Sequence, residues 1–257
     1  MLVETDGEPP LILDLGSGLR PLGDRLAIRF ARSGEPPKVN VLLTHLHYDH
    51  IIGLPFYGLH QDPDGHMVIH GPAGHEEGPG LTLPRAVHPP YFPVTLDEFP
   101  DQTTIHDLPV PSVFSLGGYR VMVQAVAHAG FTVGYRLEIN GSSLAYLSDH
   151  QAPLDGVSVE PSVMELCRDV DLLVHDAQYT PAEFGERSDW GHSTPDYAVR
   201  VALSAGVKRL HLFHHDPAHS DGQLDEILAG AQALSRSLGG PPVEAAREGE
   251  SHRIGEG

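Results

Sequence analysis

Cysteine is almost absent from this chain. Cys167 is the only one in 257 residues, so no disulfide can close within the chain and no thiolate metal cluster can be built. Long apolar runs are missing too, and nothing approaches the roughly 18 consecutive apolar residues a membrane-spanning helix needs. The opening residues, Met1-Leu2-Val3-Glu4-Thr5-Asp6, have neither the basic nor the apolar region of a signal peptide, which makes a cytoplasmic location the default. Positive charge is scarce: 16 Lys and Arg stand against 35 Asp and Glu, a net charge of −19 with histidines neutral. Such a surface repels the phosphate backbone of long nucleic acids, so those are disfavoured as partners and a small substrate is favoured. Bound divalent cations would reverse the sign locally and admit a small anionic substrate. There is no Gly-x-Ser-x-Gly element to place a serine nucleophile. Neither an internal repeat nor a dividing linker is visible, and a single domain over 1–257 is expected.

Hydrophobic residues at 40% and charged residues at 20% suit a globular chain of this length. The apolar runs are short, and each ends in a polar cluster rich in His, Asp or Gly. Strands are expected at 11–16, 39–44, 67–70, 119–127, 134–139, 143–148, 172–175, 209–213 and 243–247, and helices at 23–32, 196–205 and 223–238. Ser193-Thr194-Pro195-Asp196 is a helix start, and Gly206 marks that helix's end. The stretch from about 60 to 117 is dense in Pro and Gly and is expected to be long and partly irregular. The acidic tail from Glu244 to Gly257 is expected to fray. Two hairpin-like stretches (119–139 and 134–148) point to sheets covered by helices, not to a regular βαβ array.

Histidine is abundant, with 18 copies. Most read as surface residues, but Thr44-His45-Leu46-His47-Tyr48-Asp49-His50 follows directly on a strand and has the form His-x-His-x-Asp-His. Imidazoles and carboxylates are good ligands for zinc and similar metals. His45 and His47 alternate off the strand end toward one side, while Asp49 and His50 lie around the following turn. One short loop can thus serve two ions; the bland alternative is an exposed histidine-rich turn. It cannot complete both sites, and His128, Asp149 and His214 each close a later apolar run in the position a further ligand would take. Alone, each reads as an ordinary loop residue.

Together these motifs resemble the metallo-β-lactamase superfamily over nearly the whole chain. The resemblance implies an α/β fold, a four-layer αββα sandwich of two mixed β-sheets flanked by helices. It also implies two divalent metal ions, zinc first, with manganese or iron able to use the same ligands. By that pattern His45, His47 and His128 hold one ion, Asp49, His50 and His214 hold the other, and Asp149 bridges them. His215 competes with His214, which the alignment of Phe213-His214-His215-Asp216-Pro217 favours. Asp14, in Asp14-Leu15-Gly16, matches the family's early Asp-x-Gly and is expected to hold the turn beneath the metals. Only thirteen residues precede Asp14, where family members have another strand or two. The first sheet is therefore expected to lack an edge strand, or the chain to start too far downstream.

The fold hosts many chemistries, so substrate must come from elsewhere. Leu173-Val174-His175-Asp176-Ala177 resembles the His-Glu-Ala-Thr segment of the tRNA 3′-processing endonuclease branch, ribonuclease Z, and Gly191-His192-Ser193-Thr194 resembles its Gly-His-Ser-Thr element. The resemblance implies that His192 contacts the phosphate or protonates the leaving oxygen and that Asp176 orients it, with Asp49 also in the catalytic set and a metal-bridging hydroxide as nucleophile. Asp replaces that branch's Glu, which shortens the pair's reach. A helix cap is the plain alternative for 191–194. The basic arm that grips tRNA in ribonuclease Z has no counterpart here. The expectation is a phosphodiesterase acting on a small, in the first instance cyclic, phosphodiester. The alternatives are a thiolesterase or lactonase of the same fold, or a tRNA 3′-processing-type endonuclease. A homodimer is common in this branch and is allowed.

Overall fold

Apolar runs too short for helices pair into strands, and the polar residues that end them collect at the sheet edges. The computed structural model describes residues 1–74 and 78–255, which cluster into two units, Met1–Pro109 and Val110–Gly257. The first unit contains β1 (Leu2–Val3), β2 (Leu11–Leu13), β3 (Lys38–Leu42), β4 (His66–Pro72) and β5 (Gln102–Leu108), hydrogen-bonded in that order. β1 runs antiparallel to β2 and the remaining pairs are parallel. Helices α1 (Leu19–Ser33), α2 (Tyr48–Ile51) and α3 (Pro79–Ala86) belong to the same unit. Its core gathers Ile12, Val41, Met67 and Ile69 from the strands with Leu26 and Phe30 from α1.

The second unit contains β6 (Ser112–Leu116), β7 (Tyr119–Val126), β8 (Thr132–Ile139), β9 (Ser142–Leu147), β10 (Leu172–Asp176), β11 (Leu210–Phe213) and β12 (Val243–Ala245). The sheet order is β12-β11-β10-β9-β8-β7-β6. The strands from β6 to β9 form an antiparallel meander, and those from β9 to β12 are parallel. Helices α4 (Pro161–Cys167), α5 (Pro181–Phe184), α6 (Pro195–Ser204) and α7 (Asp221–Leu238) complete it. Leu147, Leu166, Cys167, Leu173, Val199 and Leu212 sit in its core. Both sheets are mixed and accompanied by helices, the α/β class the sequence motifs imply. Among the described residues no helix is long and apolar enough to cross a membrane.

Strand direction positions the chemistry. Two antiparallel steps, β7 to β8 to β9, return β7 to the direction of β9, which β10 and β11 share. The carboxyl ends of these four strands therefore lie along one sheet edge, the usual place for a site in such sheets. Residues 128, 149, 176 and 214 stand there.

Three expectations need correction. α1 begins at Leu19, not at residue 23, because Pro21 falls in the first turn, where its missing N–H is not needed. The stretch 60–117 is more regular than its Pro and Gly content implies: it carries α3, β5 and β6 (residues 75–77 lie outside the described residues). β5 and β6 are the outer strands of their sheets, and their polar sequences, Gln102-Thr103-Thr104-Ile105 and Ser112-Val113-Phe114-Ser115, lack the apolar run that marks a buried strand. The tail does not fray from Glu244. β12 includes it, Ala246 N–H donates to Leu212 O at 2.9 Å, and Ser142 Oγ donates to Ile254 O at 3.4 Å.

At α5 the cap also fixes a titrating group. Thr180 N–H donates to Glu183 Oε2 at 2.8 Å, and His219 Nε2 lies 2.9 Å from Glu183 Oε1. The His219 hydrogen bond, with the Thr180 bonds behind it, outweighs burial and holds the Glu183 carboxyl down to about 2. A depressed carboxyl stabilises the fold above its ordinary value of 4.5 and loses that contribution as pH falls through about 2. The stability gap between wild type and Glu183→Gln is accordingly expected to close over that window in urea unfolding. A gap that stays constant from neutral pH into strong acid would count against the assignment.

Candidate metal centre

In the first unit, β2 delivers Asp14 and β3 delivers the 44–50 loop to the same edge. Asp14 is buried with a φ of +60°, a left-handed conformation that Asp tolerates better than most side chains. Its Oδ1 accepts from Thr44 N–H at 2.7 Å, and its Oδ2 accepts from His50 Nδ1 at 3.0 Å. With a carboxylate on Nδ1, His50 carries its proton there and presents the Nε2 lone pair. Burial alone would raise the Asp14 carboxyl, but His50 and the bonds from His50 and Thr44 outweigh it and hold it below the usual range. His45 Nδ1 is 3.0 Å from Thr44 Oγ1. The His45 ring lies 4.5 Å from that of His47 and 4.2 Å from that of His50, and Asp49 Oδ2 is 3.3 Å from His50 Nε2. Glycine permits the loop's seat: a Cβ at Gly53 would stand 2.1 Å from Gly16 O.

Asp14→Asn keeps the shape but replaces an acceptor with an amide NH₂ opposite either Thr44 or His50. The His50 proton is then expected to move to Nε2, with metal affinity falling about 10- to 100-fold. Competitive metal titration checks this, and an unchanged affinity would show that Asp14 only supports the turn.

In the second unit, His128 Nδ1 donates to Gly191 O at 2.6 Å, which again leaves Nε2 as the lone-pair atom. Asp149 Oδ1 is 3.3 Å from His214 Nε2 and 3.8 Å from His128 Nε2. His128, Asp149 and His192 form a group whose ligand-type atoms all lie within 4.8 Å of one another. His192 Nδ1 is 2.8 Å from Asp176 Oδ2, so Asp reaches despite its shorter stem. Asp176 is fully buried, and its carboxylate also accepts the backbone N–H of His150 (3.1 Å), Gln178 (3.0 Å) and Ser193 (3.2 Å). The 191–194 element works at every position: Gly191 O fixes His128, the His192 ring meets Asp176, Ser193 N–H meets Asp176, and Thr194 caps α6 by accepting from Tyr197 N–H. The cap and the side-chain pair coexist.

Sequence reasoning missed two supports, His150 and Gln151, while His175 is a packed strand-end residue. His150 and His175 are buried, with His175 Nδ1 donating to Asp176 O at 2.7 Å and His150 Nδ1 3.1 Å from His175 Nε2. Burial, followed by His175 and His128, holds the His150 ring well below its ordinary value, and burial lowers His175, so both are neutral packing partners behind Asp176. Gln151 accepts from Gly191 N–H at 2.6 Å and donates to Ser188 O at 2.6 Å, pinning the 188–191 loop. The position of His150 after Asp149 was a usable signal; nothing in the sequence marks Gln151.

The candidate donors are imidazole and carboxylate only, and on His50 and His128 the proton is held at Nδ1 with Nε2 left for a ligand, which fits borderline divalent metals. A family model described as a beta-lactamase superfamily domain matches residues 19–215. The chain belongs to the metallo-β-lactamase superfamily. A ribonuclease Z of Kineococcus radiotolerans is 31% identical over 258 residues, covering 85% of this chain and 79% of that one. Among solved structures, the metallo-β-lactamase fold protein YhfI of Bacillus subtilis superimposes with a TM-score of 0.69 at 18% identity, covering 97% of this chain and 89% of its own. The short form of human tRNase Z gives 0.68 at 20% identity, covering 99% and 92%. As a metallo-β-lactamase-fold hydrolase the chain carries its metal-type donors at the sheet ends, with Asp149 and His214 in one unit and His45, His47, Asp49 and His50 in the other.

Proposed function

We propose that the two units act as one catalytic domain, a dinuclear metal-dependent phosphodiesterase for a small anionic, most simply cyclic, phosphodiester. His45, His47 and His128 serve one ion, Asp49, His50 and His214 the other, and Asp149 both. The observation that carries this reading is the His192–Asp176 pair at 2.8 Å, with Asp176 saturated by three backbone N–H groups. A carboxylate so held is fixed in place and draws the His192 proton to Nδ1, leaving Nε2 for a substrate oxygen.

Two bound divalent ions would supply charge neutralisation on the phosphate and an acidified water. The side chains do the rest. Protonated on Nε2, His192 donates to the departing alkoxide, a poor leaving group that needs a general acid. Asp49, with 60% of its side chain exposed, is placed to accept a proton from the attacking water. His128 and His50 are held in orientation by Gly191 O and Asp14.

Hydrolysis of a phosphodiester, a thioester and a lactone by metal-loaded protein tests the class. Preferential diester cleavage supports the reading, whereas acyl hydrolysis indifferent to His192→Ala would replace it with a thiolesterase or lactonase. A tRNA 3′-processing-type endonuclease is the second reading, favoured by the similarity to ribonuclease Z. The net charge of −19 opposes it. Cyclic nucleotides and a precursor tRNA, compared at low and raised salt, separate the two, since RNA binding through phosphates weakens steeply with salt.

A further inference from the structure

Away from the strand ends described above, His211 on β11, Glu244 on β12 and His252 in the following segment bring one ligand-type atom each to within 4.8 Å of one another. His211 Nε2 is 3.3 Å from Glu244 Oε2, and His252 Nδ1 is 3.5 Å from the same oxygen. The two imidazole rings stand 4.5 Å apart in an edge-on arrangement.

His211 is the informative member. It is 4% exposed, and its Nε2 is buried without a hydrogen-bond partner, because the approach to Glu244 is not aligned as one. A buried, unpartnered imidazole nitrogen facing a carboxylate costs stability unless something fills the gap. Burial, followed by His252, lowers the ring's affinity for a second proton, which leaves it neutral and able to offer a lone pair to a metal. His252 stands between two carboxylates, its Nδ1 3.5 Å from Glu244 Oε2 and its Nε2 3.6 Å from Glu250 Oε2, so its ring is held beside the Glu244 oxygen that His211 also faces.

We infer that His211, Glu244 and His252 form a second, peripheral site for a divalent transition metal of the zinc type, which clips the C-terminal segment onto β11 and β12. Two imidazoles and one carboxylate select a borderline ion over calcium or magnesium, and a solvent molecule completes four-coordination. The clip has a structural purpose. Among the described residues the segment after β12 has no helix or strand, and its ties include the Ala246 and Ile254 bonds and an Arg247–Asp225 pair at 3.1 Å. The pairing of His252 with Glu244 and Glu250 as ordinary surface ions is the competing account.

Zn²⁺ is the probe, on the full-length protein. Metal content at saturating Zn²⁺ is measured by equilibrium dialysis for wild type, His252→Ala and Glu244→Gln, both variants lying outside the buried core. One ion fewer per chain in each variant is the expected result. Tryptic cleavage at Arg247 and Arg253, both exposed, is the second readout. With Zn²⁺ at about ten times the site's Kd, cleavage in wild type is expected to slow about tenfold, with no such protection in either variant. Equal metal content in all three proteins, or equal protection by Zn²⁺, would overturn the site and leave an ion pair.

Discussion

His192→Ala is expected to lower kcat for diesters with alkoxide leaving groups by about 10²- to 10⁴-fold, the usual contribution of a positioned general acid. Metal content is expected to stay at the wild-type level, because the His192 Nδ1 is committed to Asp176 at 2.8 Å and is not needed as a ligand in the proposed set. The loss carries a signature that a structural defect would not. Nitrophenolate departs without a proton, so the same variant should lose far less activity on a nitrophenyl diester than on a cyclic nucleotide. An equal loss on both substrates would show that His192 positions phosphate and does not protonate the leaving oxygen. Asp176 variants are poorer probes, since they also remove the acceptor for three backbone N–H groups.

Gly191→Ala is expected to be the most damaging conservative change. Gly191 has a φ of +93°, and an added Cβ would stand 2.4 Å from His128 Nδ1 and 2.8 Å from Ala129 N. Left-handed strain and overpacking together are expected to cost about 2–4 kcal/mol in urea unfolding. The methyl would also break the 2.6 Å bond that fixes the His128 proton on Nδ1, with an expected fall in metal affinity of about 10- to 100-fold. Unfolding curves and metal titrations that match wild type would mean the 188–191 loop shifts freely. Its two bonds to Gln151 argue that it does not.

Much of this was legible in the residues. His45, His47, Asp49 and His50 carry a metal-type pattern because ligand spacing on a single loop is local, and local geometry is written in sequence. His128, Asp149 and His214 were found as strand-end polar residues because a short apolar run announces where its strand stops, whereas Asp14 came only from the resemblance to the family's Asp-x-Gly. β5 and β6 were not, since an outer strand is held by backbone pairing with a neighbour distant in sequence and needs no apolar run of its own.

By itself, then, the sequence determined the superfamily, the donor types and the strand-end positions, all of which follow from short-range pattern. Only the tertiary structure decided how the proton is placed on each histidine: Asp14 on His50, Gly191 O on His128, Asp176 on His192. It also decided that Gln151 pins the loop and that His211, Glu244 and His252 meet. These partners lie 36, 63 and 16 residues apart in the first three cases, and 41 separate His211 from His252. Apart from the His192–Asp176 pair, which the resemblance of two short segments already implied, no local signal marks them, because a hydrogen bond acts over about 3 Å of space and is blind to separation along the chain.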